Sequence, residues 1–172
     1  MSKITKMLLF AAAGIALSIR ATQSSAQMPA AIDAPGQTVV TTLHAEGAQV
    51  YECKADAQGK PAWQIREPIA TLFLNGRTIG RHYAGPTWEH TDGSKVVGRV
   101  VATALGATPN DIPWLRLDVV ERHGNGILSG VTTVQRINTK GGSAQGPCDN
   151  TGRYLSVPYS AEYVFLGRAR NN

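Results

Sequence analysis

Short apolar runs alternate with turn residues along most of the chain. Near the C-terminus, four residues occupy every second position and therefore one face of a strand: Tyr159, Ala161, Tyr163 and Phe165. Upstream, Asn75-Gly76 and Asp92-Gly93 each separate two extended runs, and both pairs tolerate the positive φ that a tight hairpin turn needs. The pattern predicts strands joined by hairpins.

Helical patterns are rare. A helix needs ten or more residues with apolar positions spaced by three and four, and the one candidate is residues 100–112. Its two leading valines favour a strand. Strands joined by short turns, without intervening helices, are typical of an antiparallel sheet that folds onto itself. We therefore predict an all-β fold, an antiparallel β-sandwich or partly closed barrel of about seven to nine strands.

Residues 1–26 have the pattern of a secretory signal peptide. Two lysines precede an apolar run over residues 7–19. Small residues follow at Ser24 and Ala26, the positions that a signal peptidase recognises before the cleavage point. The run is 13 residues long, shorter than the roughly 20 residues of a membrane-spanning helix. A retained membrane anchor or a buried helix is the alternative. The pattern predicts a periplasmic or secreted protein.

The remaining chain divides into a leader and a domain. Residues 27–37 are rich in Ala and Pro and are predicted to form a flexible leader. Residues 38–172 contain no repeat, heptad pattern or long low-complexity segment, and their number suits one domain. We therefore predict a single β-rich domain over residues 38–172.

The charge of the mature chain is close to neutral. The full sequence has 17 basic and 12 acidic residues, a net +5, but Lys3, Lys6 and Arg20 lie in the signal peptide, which leaves 14 − 12 = +2. The other basic residues are scattered, so nothing attracts the protein to nucleic acid. We predict no nucleic-acid partner and no membrane span in the mature form. The expected partner is an unidentified small molecule or a component of the envelope or the extracellular space.

The sequence contains two cysteines, Cys53 and Cys148. In an exported protein an even number of cysteines indicates a disulfide first, and a loop of this size is worth on the order of 4 kcal/mol. Two unpaired buried thiols are the alternative. Metal binding by these cysteines alone would need closer spacing. We predict a Cys53–Cys148 disulfide.

The stretch RHYAGPTWEHTDGS, residues 81–94, concentrates groups that could bind a divalent metal ion: His82, Glu89, His90 and Asp92. Strand alternation sends Glu89 and His90 to opposite faces, so they cannot easily share one ion. His82 and Glu89 could meet if the Gly85-Pro86 bend folds the chain back. The alternative is a structural hairpin with a His–Glu hydrogen bond.

Familiar signatures of catalysis are missing from the sequence. It has no phosphate loop, no dinucleotide fingerprint, no Gly-x-Ser-x-Gly elbow and no His-Glu-x-x-His helix. We therefore predict no cofactor and assign no metal ligand. The leading hypothesis is a non-enzymatic binding or structural domain. The alternative is a metal-assisted hydrolase or isomerase centred on His82 and Glu89, with Asp92 orienting them, and a third possibility is an adhesive sheet edge.

Four segments resemble the domain-of-unknown-function 3455 family: GRHYAGPTWEHTDGSKVVG, IPWLRL, VTTVQRINTKGGSAQGPC and VPYSAEYVF. The resemblance extends from about Gln49 to Leu166. It implies export and a compact fold, but it does not indicate any particular activity. The position of Cys148 after the Gly-Gly loop also suits a disulfide.

The resemblance suggests one grouping of residues. If the Gly-Pro-Thr-Trp-Glu hairpin and the Asn-Thr-x-Gly-Gly loop lie side by side, four polar residues would surround one shallow pocket: His82, Glu89, Asp92 and Asn138. These four are the predicted site residues, and they would bind a ligand only if their side chains lie within about 10 Å of one another.

Overall fold

The computed structural model describes residues 28–169, which form one closed antiparallel sheet. Each strand pairs with the next, and the last pairs with the first. Two short 3₁₀ helices, Ala30–Ile32 and Ile127–Gly130, complete the structure. The strands are β1 (Gln37–Ala55), β2 (Pro61–Leu74), β3 (Arg77–Tyr83), β4 (Thr87–His90), β5 (Lys95–Ala104), β6 (Trp114–His123), β7 (Val131–Gly141) and β8 (Tyr154–Arg168).

The all-β class, the antiparallel pairing, the strand number and the disulfide are confirmed. Of the two arrangements predicted, the chain adopts the barrel, and the barrel is fully closed. No helix among residues 28–169 is long and apolar enough to span a membrane. The predicted signal peptide, residues 1–26, lies outside the described residues. Eight strands enclose an interior just wide enough for side chains or for one small ligand.

The leader packs against the outside of the barrel. Ile32 is fully buried, and its carbonyl oxygen accepts a hydrogen bond of 2.6 Å from Nε2 of Gln135 on β7. The guanidinium of Arg116 on β6 donates to the carbonyl oxygen of Asp33. The first 3₁₀ helix also contacts β5 and β6. These contacts hold residues 30–33 against the outer wall.

Alternation along β8 determines which side chains enter the barrel. The four residues that alternate in the sequence are all buried in the core: Tyr159, Ala161, Tyr163 and Phe165. On β1, Leu43 and Ala45 follow the same rule and join that core. The prediction that these four residues share one face of the last strand is confirmed, and that face is the inner one.

One end of the barrel, here called the closed end, is filled by Leu128 of the second 3₁₀ helix, which is fully buried in the core. Two groups of the β4–β5 turn hold this helix in place. Oδ2 of Asp92 accepts a 2.7 Å hydrogen bond from the Ile127 N–H. Oγ of Ser94 accepts a 3.2 Å hydrogen bond from the Leu128 N–H.

The opposite end, here called the mouth end, carries the β1–β2, β3–β4, β5–β6 and β7–β8 connections. The β5–β6 connection is tied to β7, because Oδ1 of Asp111 accepts a 2.7 Å hydrogen bond from the Gly141 N–H and Oγ1 of Thr139 donates to the Ile112 carbonyl at 2.6 Å. The Cys53–Cys148 disulfide, with Cα atoms 5.7 Å apart, ties the β7–β8 connection to β1. Two of the four connections are thus fixed around the mouth.

Candidate functional site

A cavity of about 560 Å³ lies inside the barrel toward the mouth end, and its lining is predominantly apolar. Ile65 and Val100, which are 56% and 45% exposed, stand where the cavity meets solvent. Small-molecule sites in proteins have volumes of about 300–1,000 Å³ and linings of this kind. Inward-facing residues of the strands and of the mouth connections form the wall, among them Gln49, Tyr51, Trp63, Ile112, Pro113 and Leu115.

Aromatic rings form the floor of the cavity. His82 and Trp88 lie opposite each other in the β3–β4 register, and their rings stack with centroids 4.5 Å apart and planes 9° from parallel. Tyr163 meets the Trp88 ring edge-on at 5.3 Å, and Phe165 does so at 6.1 Å. Edge-to-face and stacked pairs hold rings in fixed orientations, so the floor is a rigid apolar surface.

Gly98 on β5 makes room for the Trp88 ring. A Cβ atom at this position would lie 3.0 Å from Cζ3 of Trp88 and 3.2 Å from Cβ of Leu117. Both neighbours are buried core residues that cannot move away without disturbing the packing. The absence of a side chain at Gly98 therefore accommodates the close approach of the indole to the wall.

His82 is a neutral imidazole in this environment. Its Nδ1 lies 2.8 Å from the carbonyl oxygen of Thr87, so Nδ1 carries the proton and donates the hydrogen bond. Complete burial lowers the pKa of His82 from 6.5 to about 3, although the hydrogen bond to Thr87 opposes the shift. The side chain consequently carries no charge at physiological pH.

Three buried donors on residues that line the cavity have no acceptor among residues 28–169. They are Nε2 of Gln49, Nε1 of Trp63 and Nε1 of Trp88. Gln49 is 4% exposed and Trp88 is 1% exposed. A buried donor without a partner costs about 1–3 kcal/mol. The neighbouring hydroxyl of Tyr51, by contrast, donates to the carbonyl oxygen of Gly142 at 2.7 Å.

Arg136 brings a positive charge into the cavity wall. It lies opposite Leu115 in the β6–β7 register and lines the cavity with it. Its Nε and Nη2 donate to the carbonyl oxygen of Pro113 at 3.1 and 2.9 Å. None of the ion pairs formed within residues 28–169 includes Arg136. A guanidinium has five N–H donors, so three are left for other partners.

The structure does not bring Glu89 to His82. Strand β4 alternates, so Trp88 and Glu89 point to opposite faces of the wall, and His82 lies on the inner face with Trp88. Glu89 lies on the outer face, 3.0 Å from Nη2 of Arg81 and 2.8 Å from the hydroxyl of Tyr83. The hydrogen bond from Tyr83, and then that from Arg81, lower the pKa of Glu89. Glu89 has a structural role in an exposed pair.

The other two predicted site residues lie elsewhere. Asp92 stands at the closed end, where its carboxylate binds the second 3₁₀ helix. Asn138 is exposed at an irregularity of β7 and has a positive φ of 52°. It lines an outer depression together with His44 and Glu162. The four residues therefore do not share one pocket, and residues 28–169 contain no cluster of three or more His, Cys, Asp or Glu that could hold a metal ion.

The sequence analysis missed two polar residues of the cavity, Gln49 and Arg136. Gln49 follows the core residues Leu43 and Ala45 at alternate positions of β1, and Arg136 follows the core residue Val134 in the same way on β7. A polar residue at an inward position of an alternating strand is the signal that would have identified them. Their convergence on one cavity depends on the closure of the barrel, which no local pattern contains.

Comparison with known proteins gives one match. The family model of a protein of unknown function (DUF3455) matches residues 34–167, which is most of the chain. No curated protein and no solved structure matches the sequence. The match includes strands β1 to β7 completely and β8 up to its penultimate residue. The chain belongs to the DUF3455 family of proteins of unknown function.

Proposed function

We propose that this chain is an exported, non-enzymatic protein that binds a small, mostly apolar molecule inside its barrel. The observation that carries the proposal is the cavity of about 560 Å³ at the mouth end. Cavities of this size with an apolar lining and a few polar groups are the usual form of small-ligand sites. Hydrogen bonds fix the β5–β6 connection and the disulfide fixes the β7–β8 connection at the mouth, so these two would need little ordering on binding.

Export is supported by the disulfide between Cys53 and Cys148. Disulfides persist in oxidising compartments such as the periplasm and the extracellular space and are rare in the cytosol. The N-terminal pattern of a positive start, an apolar run and small residues favours the same location.

The alternative functions receive less support from the geometry. A hydrolase or isomerase centred on His82 and Glu89 needs both groups against one substrate, whereas His82 faces the interior and Glu89 faces outward. Adhesion through a sheet edge needs an unpaired strand, whereas closure gives every strand of the barrel two neighbours. Binding in the interior requires neither that Glu89 reach the face of His82 nor that a strand lose a neighbour.

The test is a titration with N-phenyl-1-naphthylamine, a neutral aromatic probe whose fluorescence rises in an apolar environment. We expect saturable binding of one probe per chain. The variant Val100→Trp places a large ring where the cavity meets solvent and should weaken binding at least tenfold. Val120→Trp is the matched control, because Val120 is similarly exposed, on the adjacent strand β6, and does not line the cavity.

Two results would count against the proposal. The first is the absence of saturable binding by the wild-type protein. The second is equal binding by Val100→Trp and Val120→Trp, which would locate the probe on the outer surface. Circular dichroism of both variants verifies that each remains folded.

A further inference from the structure

The buried side-chain atoms of the cavity lining that lack a partner within residues 28–169 are all hydrogen-bond donors. Nε2 of Gln49 and Nε1 of Trp88 have no acceptor within the part of the chain that the structure describes, and Arg136 retains N–H groups beyond the two that bind Pro113. An indole and a guanidinium have no acceptor atom at all. A complementary ligand therefore presents acceptors rather than donors toward this region.

The geometry of Arg136 favours a carboxylate. Its Nε and Nη2 both bind the same carbonyl oxygen of Pro113, which fixes the guanidinium plane. Nη1 and one proton of Nη2 are left for a ligand, beside the hydroxyl of Tyr163. Those two donors form the end edge of the guanidinium, which matches the two oxygens of a carboxylate. Arg136 is half-buried, so water screens such a pair only in part.

The charge of the cavity favours a single negative charge on the ligand. Arg66, at the outer part of the lining, is paired through Nε with Glu67 at 3.3 Å, and so its charge is already compensated. Arg136 is the cavity-lining cation that no ion pair of residues 28–169 compensates. One uncompensated cation suits a monoanion better than a dianion, since a second charge would be desolvated without a partner.

We propose, on the basis of the binding function proposed above, that the ligand is a small monocarboxylate with an apolar body. Its carboxylate pairs with the free edge of Arg136, and its apolar body packs on the floor formed by Trp88 and Tyr163. The orphaned donors of Gln49 and Trp88 bind further oxygen atoms of the ligand or water molecules that accompany it.

The experiment compares naphthalene-1-acetate with naphthalene-1-acetamide by isothermal titration calorimetry at pH 7. The two compounds share one apolar body and nearly one shape, and they differ in charge. A charge-assisted hydrogen bond in a partly buried site predicts that the wild-type protein binds the acetate about tenfold to a hundredfold more tightly. Arg136→Met should abolish this preference, because it should lower the affinity for the acetate far more than the affinity for the acetamide.

Arg99→Met is the matched control, because Arg99 is an exposed arginine on strand β5 that does not line the cavity. It should retain the full preference for the acetate. Arg136→Lys keeps the positive charge but loses the two parallel N–H donors of the guanidinium, so it should show an intermediate preference for the acetate. The wild-type comparison needs no variant, and therefore the proposal is tested even if Arg136→Met fails to fold.

The outcomes separate the two proposals. Equal binding of acetate and acetamide overturns the carboxylate assignment and leaves the binding function intact. A preference for acetate that survives in Arg136→Met overturns the role of Arg136. Failure of both compounds, together with failure of N-phenyl-1-naphthylamine, overturns the binding function itself and with it the carboxylate assignment.

Discussion

The imidazole of His82 lies parallel to the indole of Trp88 at 4.5 Å, with its Nδ1–H bound to the carbonyl oxygen of Thr87. The histidine that the sequence marks as a candidate ligand is thus a component of an aromatic floor. Burial keeps it uncharged, since its pKa is lowered to about 3. A charged imidazole would need to be solvated, and solvation would break the stacked pair.

The first prediction concerns the pH dependence of stability. The unfolded chain protonates His82 near pH 6.5, whereas the folded chain does so only near pH 3. The free energy of unfolding should therefore fall as the pH drops below 6.5, by roughly 1 kcal/mol for each pH unit from this residue. His82→Asn keeps an N–H for Thr87 and cannot titrate, so urea denaturation at pH 7 and pH 5 should show a smaller loss for the variant.

His123→Asn is the control for this measurement, because His123 is exposed at the end of β6. It should behave as the wild type at both pH values. If His82→Asn and the wild type lose the same free energy between pH 7 and pH 5, His82 is not held neutral by the fold.

The second prediction tests the packing beneath the cavity. Gly98→Ala adds a methyl group 3.0 Å from Cζ3 of Trp88. Overpacking of a core typically costs about 1–3 kcal/mol, and we expect a loss of this size in urea denaturation, together with a changed near-ultraviolet circular dichroism from Trp88. Gly130→Ala is the control, since a Cβ there would meet no atom within 4 Å. Equal stability of Gly98→Ala and Gly130→Ala would mean that the packing around Trp88 accommodates the added methyl group.

Much of the fold follows from period-two patterns and turn chemistry. Tyr163 and Phe165 face the core as their spacing predicts, and Asn75 adopts the positive φ expected at its hairpin. These features are local, because alternation and turn type depend on adjacent residues. The closure between β1 and β8 is different: it joins residues more than 100 positions apart, and no short window of sequence contains that information.

The candidate site was predicted less well for the same reason. His82 was identified as notable, but its partner was expected to be Glu89, and the side chain it contacts is Trp88. The β3–β4 hairpin places Trp88 and not Glu89 opposite His82, and a shift of one position in register changes the face of every side chain. Arg136 could not be assigned to the cavity until the register of β6 and β7 was known.

The third prediction concerns acid stability at the closed end. Partial burial of Asp92 opposes ionisation, but hydrogen bonds from Ser94 and from the Ile127 N–H outweigh it and hold the pKa of Asp92 well below its usual value of 3.8. Protonation therefore favours the unfolded chain, and stability should be lost as the pH falls below about 4. Asp92→Asn should be less stable at pH 7 and should show a shallower decline between pH 4 and pH 2.5.

Asp118→Asn is the comparison variant, because Asp118 is exposed on β6. Its denaturation curves should follow those of the wild type at each pH. A loss of stability on acidification that is as large in Asp92→Asn as in the wild type would mean that other carboxylates cause the acid sensitivity. It would also mean that the Asp92 contact with the second 3₁₀ helix does not contribute to it.

The last prediction concerns the Cys53–Cys148 disulfide, which encloses a sequence separation of 95 residues. Restriction of the unfolded chain by a loop of this size is worth about 4–5 kcal/mol at most. The backbone hydrogen bonds of Cys53 with Gly152 and Arg153 do not depend on the bond, so the reduced protein should keep its barrel. We expect the Cys53→Ala/Cys148→Ala variant to lose about 2–4 kcal/mol in urea denaturation.

A reductant distinguishes the bond from the side chains themselves. It should lower the denaturation midpoint of the wild type to near that of the double variant and leave the double variant unchanged. Because the disulfide holds the β7–β8 connection beside the mouth, reduction should also weaken probe binding at temperatures where the protein is still folded. A wild-type midpoint insensitive to reductant, with two titratable thiols in the denatured protein, would show that the bond does not form.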